Sequence, residues 1–234
     1  MITFLGDFLE GEFDKTEIII YILSISFVAF CATPLHEFAH AGVAVLLGDD
    51  TPRLRGRLTI NPLAHMDPIG VIMIFLFGFG YAKPVEVRIR KFKKPKRDMA
   101  LVALAGPLCN LLQSFIYASV AVVFYYIFML KGVKAFELIF NFFYFAAQIN
   151  IRLAVFNLIP IPPLDGSRLL TALLPTKIYF KIMQYERYFM IALWILLFTR
   201  ILTFPLSFIS DMLLDFFIMI AGMPLNFILS LFLR

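Results

Sequence analysis

Charge is what this chain has least of. Of its 234 residues only 16% are Asp, Glu, Lys or Arg, while 61% are hydrophobic; soluble domains carry roughly 25% charged residues. With a mean hydropathy of +0.88, the composition leaves no room for a soluble domain of any size and predicts an integral membrane protein. Cysteine is nearly missing too. Cys31 and Cys109 both lie in apolar surroundings and read as small buried hydrophobes, neither a disulfide pair nor metal ligands. The start lacks the basic n-region and small-residue cleavage site of a secretory signal. Its first apolar run begins at Ile18, after an acidic leader with Asp7, Glu10, Glu12, Asp14 and Glu17, and is expected to be retained. There is no internal repeat and no low-complexity tract. The net charge of +5 is not a nucleic-acid signature, because the basic residues cluster beside apolar runs as a topology signal would. The expected environment is a lipid bilayer, with no nucleic-acid partner.

Five apolar runs, at 18–47, 99–130, 136–161, 188–202 and 206–233, are candidate spans, since about 20 helical residues cross a hydrocarbon core of about 30 Å. The fourth is short. A sixth run, 69–81, carries Gly70, Gly78 and Gly80 and has basic residues on both sides; it is expected to dip into the membrane and return, or to span irregularly under cover of other helices. Around it, residues 53–60 and 85–90 alternate apolar and polar. That is strand periodicity, and it predicts either a small interfacial sheet or a basic hairpin facing lipid headgroups. The fold class that follows is an all-α polytopic membrane protein of about five to six transmembrane helices, with a small interfacial β element and a re-entrant segment. Residues 1–17 form the leader, 18–175 the core and 176–234 a C-terminal helix pair. Fifteen of the 21 Lys/Arg lie in 53–57, 83–97 and 168–187. The positive-inside rule therefore puts these stretches in the cytoplasm, the N-terminus outside and the chain's end inside.

Histidine is scarce as well, at three residues, yet two of them stand four apart in His36-Glu37-Phe38-Ala39-His40, inside the first apolar run. Positions i and i+4 share a helix face, so both imidazoles can bind one zinc ion, and Glu37 is placed to act as a general base. Ionisable groups are expensive in hydrocarbon, and a divalent metal offsets that cost. A catalytic zinc takes three protein ligands. Asp165 follows a helix-stopping Pro160-Ile161-Pro162-Pro163 segment and can complete the site, or can simply cap the helix that follows. His65 is either a donor on the substrate side or satisfies local backbone groups. Asn110 and Asn150 read as packing residues within helices, and Arg152 as paired with an interior carboxylate or a carbonyl.

His36 to His40, Asn61-Pro62-Leu63 to Gly70, Ala105-Gly106-Pro107-Leu108-Cys109-Asn110, and Asn157 through Leu164-Asp165-Gly166 occur in the order of, and closely resemble, the motifs of the site-2 protease family of intramembrane zinc metalloproteases. The resemblance covers roughly residues 18–175. It implies one zinc per chain held by His36, His40 and Asp165, Glu37 as general base, and Asn157 helping to hold the reacting carbonyl. It further implies a transmembrane protein substrate cut near the cytosolic face and a multi-pass location in the cell membrane of a prokaryote. PDZ and CBS segments of larger relatives are not recognisable in the sequence. The competing class is a membrane carrier or ion relay built on the same cluster, which would be expected to show inverted repeats or paired broken helices; neither is visible.

Overall fold

The computed structural model describes residues 14–68, 70, 82–199 and 201–232. The acidic leader up to residue 13 and the expected re-entrant stretch 69–81, apart from Gly70, lie outside the described residues. The first helix, α1 (Lys15–Phe27), starts at a capping box. The Asp14 carboxylate accepts from the Lys15 amide at 2.8 Å, and the Glu17 carboxylate accepts from the Asp14 amide at 3.2 Å. It continues through a π-helical stretch, Val28–Ala32, into α2 (Thr33–Leu46), so that residues 15–46 form one apolar rod with Pro34 in the first turn of α2. The extra residue of a π turn rotates everything after it. As a result α1 packs on one neighbour and α2 on another.

After two single-turn helices, α3 (Thr51–Leu54) and α4 (Pro62–His65), come three longer ones. Helix α5 (Pro95–Lys131) is about 55 Å long and ends where Gly132, at φ 65°, forms a left-handed cap. Helix α6 (Lys134–Asn157) returns antiparallel to it, and α7 (Asp165–Leu173) follows the proline break. Helices α8 (Thr176–Gln184), α9 (Glu186–Phe198) and α10 (Thr203–Phe232) complete the chain. Among the described residues, four helices are long and apolar enough to cross a membrane: Lys15–Leu46, Pro95–Lys131, Lys134–Asn157 and Phe204–Asn226.

Small residues make the close helix contacts. Ala32, Ala44, Ala118, Ala146, Ala147 and Ala154 are buried between helices. Ser24 donates across to the Phe142 carbonyl at 3.0 Å and Ser114 to the Ala147 carbonyl at 2.8 Å, the kind of packing that holds membrane helices together where lipid gives no hydrophobic drive. Arg152 pairs with Asp211 at 3.9 Å, but that carboxylate is half-exposed and not the interior partner expected. Both cysteines are free, but Cys31 faces outward and is not buried as expected.

One expectation fails for an identifiable reason. The alternating stretches form no strands among the described residues; a single antiparallel bridge, Met66 to Ala82, is all that pairs there. At 51–56 the Asp49 carboxylate accepts from the Thr51 amide at 3.0 Å, Pro52 sets the first helical turn, and Gly56 reverses the chain at φ 66°. At 85–90 the alternation reflects burial alone. Val87 and Ile89 pack on the cluster of Ala44, Phe92, Met99 and Val102, while Glu86, Arg88 and Arg90 stay exposed.

Run 188–202 becomes α9, whose 13 residues reach only about 20 Å, too short to cross. Helix α10 therefore enters from the proline-break end. The Tyr126 hydroxyl donates to Asn226, and Lys134, just past the end of α5, lies within electrostatic reach of Asp14 and Glu17. The far end of α10 thus lies at the same end of the bundle as Lys15.

Asp49 also ties the 82–94 segment to the end of α2. It is fully buried and accepts from the Arg88 amide at 2.6 Å, with Lys91 Nζ at 3.4 Å. Burial alone would push its carboxyl up, but the Arg88 amide, the Thr51 hydroxyl and amide, and Lys91 outweigh that and hold it below the usual carboxylate range. A depressed folded value stabilises the protein above the unfolded value of about 3.9, and that stability is lost as pH falls through the folded value. Thermal unfolding midpoints measured from pH 6 downward should therefore fall more steeply in the wild type than in Asp49→Asn. Parallel acid limbs would remove Asp49 from the account.

Candidate metal centre

The end of the molecule that carries the proline break brings three distant segments together. On α2, His36 and His40 stand one turn apart on the inward face, 6% and 7% exposed. Helix α5 lies across them, and the α6–α7 junction closes the third side. Helix α6 stops at Asn157, and Gly166 allows the start of α7 to press back on that end. A Cβ at Gly166 would sit 2.3 Å from the Leu158 carbonyl oxygen and 2.5 Å from that of Ile159. This fold-back delivers Asp165. The N-cap of α7 is Leu164, with no side-chain cap bond, so the capping alternative for Asp165 is not realised. Its carboxylate turns to the histidines instead.

The geometry is that of three corners of a coordination polyhedron. His36 Nε2 and His40 Nε2 are 3.0 Å apart, and each is 3.2 Å from Asp165 Oδ2. Ligand atoms on a tetrahedral zinc, with bonds of 2.0–2.1 Å, stand about 3.3 Å from one another. His40 Nδ1–H donates to the Val102 carbonyl at 2.7 Å, which leaves the Nε2 lone pair of the neutral ring pointing at the cluster. Three lone pairs converging on one point repel unless a cation sits among them. These three residues are a group able to hold a metal ion. Glu37 is buried on the same turn and acts electrostatically on His40, yet its carboxylate is not part of the ligand group. That placement suits a base better than a ligand.

Gly106 explains how α5 comes so close. A Cβ built there would lie 2.3 Å from His40 Nε2 and 2.6 Å from His36 Nε2, nearly at metal-bonding distance from both. The cradle a side chain would fill is where the ion belongs. The sequence quotes Gly106 within a motif but does not reveal this role; a glycine–proline pair in the middle of a long apolar helix was the available signal. Asn157, the last residue of α6, is half-buried, and no hydrogen bond joins it to the cluster among the described residues. His65 is not part of the group. It is fully buried with Nε2 on the Thr59 carbonyl at 2.7 Å, the backbone-satisfying role of its two alternatives.

Residues 125–198 match the model of peptidase family M50, a span that contains Asp165 but not the histidines. The chain is 42% identical over 166 residues to YwhC of Bacillus subtilis (strain 168), named as a zinc metalloprotease, covering 70% of this chain and 75% of that one. Rip2 of Mycolicibacterium smegmatis, similarly named, is 31% identical over 56% of this chain, and MJ0611 of Methanocaldococcus jannaschii is 32% identical over 44%; the aligned regions span about half of each of those proteins. No solved structure matches the chain. Ligand geometry, a buried carboxylate beside it and these relatives agree: the chain belongs to peptidase family M50, the site-2 proteases, and is a zinc metalloendopeptidase.

Proposed function

We propose that His36, His40 and Asp165 are the zinc ligands, that Glu37 is the general base, and that the enzyme hydrolyses a peptide bond in a membrane-embedded segment of a protein substrate near the cytosolic face. The observation that carries this reading is the convergence of three ligand atoms at 3.0–3.2 Å beside a buried glutamate, on a helix apolar enough to span a bilayer. Depth follows from sequence distance. His40 lies six residues before Leu46, where α2 ends, or about 9 Å along the helix. The basic stretches 53–57 and 83–97 flank that same end, which the positive-inside rule assigns to the cytoplasm, leaving Lys15 toward the outside of a prokaryotic cell membrane.

Zinc, when bound, lowers the pKa of water toward about 7 and polarises a carbonyl. The chain's own residues supply the rest. Glu37 takes the proton from the attacking water and later returns it to the leaving amine. Asn157, at the end of α6 and next to the carbonyls packed by Gly166, is the amide available to steady the charge that develops on the substrate oxygen. A substrate helix must unwind before its carbonyl is free, and the irregular residues 84–87, held between the bonded amides of Lys83 and Arg88, offer a backbone edge for the unwound stretch. Relatives named as zinc metalloproteases favour this reading over an ion carrier.

The test is Glu37→Gln, with protein reconstituted beside a single-span reporter. The variant should retain its zinc by metal analysis and cleave about 10²–10⁴-fold more slowly, the usual contribution of a positioned base. Wild-type turnover in that variant, or loss of its metal, would overturn the assignment.

A further inference from the structure

His40 has both ring nitrogens accounted for: Nε2 faces the cluster and Nδ1 donates to Val102 of α5. His36 has not. Its Nδ1 is buried and has no hydrogen-bond partner. Metal-bound histidines almost always donate their second ring N–H to an acceptor that fixes tautomer and orientation, and losing that acceptor typically costs 10–100-fold in metal affinity.

The same helix that serves His40 carries an orphaned acceptor. Helices α2 and α5 run antiparallel in a register set by four contacts. His40 meets Val102, His36 lies against Gly106, the Leu35 carbonyl is 3.5 Å from Cys109 Sγ, and the Ala32 carbonyl is 3.4 Å from Gln113 Nε2. Asn110 is one turn beyond Gly106 and therefore on the same face of α5. Helical side chains lean toward the N-terminus of their own helix, which carries the Asn110 amide toward the level of Gly106, where the His36 ring lies. Asn110 is 2% exposed, and its Oδ1 has no partner. A buried donor without an acceptor and a buried acceptor without a donor thus stand at adjacent levels of one helix pair, and each leaves a desolvation cost unmet.

We propose that Asn110 is the positioning residue for His36: its amide oxygen takes the Nδ1 proton, so that Nε2 presents its lone pair to zinc, as the Val102 carbonyl does for His40. This rests on His36 being a ligand. The competing partner is Asn150 on α6, fully buried with both amide atoms unpartnered. An Asn110–Asn150 bond would hold helices together and leave the metal alone.

Zinc affinity, by competition with a chelator, and the thermal midpoint of the metal-free protein separate these readings in detergent-purified Asn110→Leu and Asn110→Asp. The leucine variant should bind zinc 10–100-fold more weakly with an unchanged metal-free midpoint. The aspartate variant, which keeps an acceptor, should bind near wild type. Unchanged affinity in the leucine variant overturns the proposal. A lowered metal-free midpoint with intact affinity also overturns it and assigns Asn110 to Asn150, as does equal loss of affinity in both variants. Asn110→Ala carries the same outcomes if the leucine variant does not fold. His36→Ala is measured alongside, and zinc retained there would sink the ligand assignment of His36 itself.

Discussion

Gly106→Ala should yield a folded protein that holds no zinc. The added methyl carbon would lie 2.3 Å from His40 Nε2 and 2.6 Å from His36 Nε2, well inside van der Waals contact and close to where the ion must sit. Alanine favours the helix by about 1 kcal/mol over glycine, so α5 itself is not weakened. To relieve the clash, either α5 backs away from α2, which also carries the Val102 carbonyl off His40, or the two rings swing aside. Both movements spoil the ligand triangle. Metal analysis after zinc loading and re-purification reads the result directly, with helicity by circular dichroism as the control. A Gly106→Ala protein with stoichiometric zinc would mean that the ion lies elsewhere.

Asp165→Ala should have an effect of the same order through the opposite change, removal of a ligand rather than obstruction of its site. Two imidazoles alone do not make a catalytic zinc site. Removing an outer partner already costs 10–100-fold in affinity, so losing a direct ligand should cost more than 100-fold. The fold should survive, because the carboxylate caps nothing in α7 and the fold-back of that helix is set by Gly166 against the Leu158 and Ile159 carbonyls. Titration with a chelator of graded strength checks the size, and full zinc occupancy in the variant would remove Asp165 from the ligand set.

The three residues that the structure brings together were legible because their signals are local or chemical: an i, i+4 histidine pair needs only helical periodicity, and a carboxylate after a proline break needs only the rule that metals want a third ligand. Gly106 was not, since its meaning depends on the register between two helices about 70 residues apart in the chain. Val102 was invisible because a backbone carbonyl has no sequence signature. The alternation at 85–90 correctly reported which side chains turn inward, but it carries no information about whether a neighbouring strand exists. Run 188–202 is apolar enough to read as a span, but the helix it forms has 13 residues, short of the roughly 20 that a crossing takes.

The π stretch at Val28–Ala32 has a bearing on how this protein tolerates change in length. A straight rod of residues 15–46 would have to satisfy two partners, α6 through its first half and α5 through its second, with a single angular phase. One surplus residue resets that phase between them. Excising a residue from within the bulge would restore regular α geometry and leave both halves nearly in phase with their own partners. Excising one between Thr33 and His36 would turn His36 and His40 by about 100° relative to everything upstream, and aim both imidazoles away from Asp165. The bulge is thus a place in the helix carrying His36 and His40 where a residue could be lost without turning the histidines.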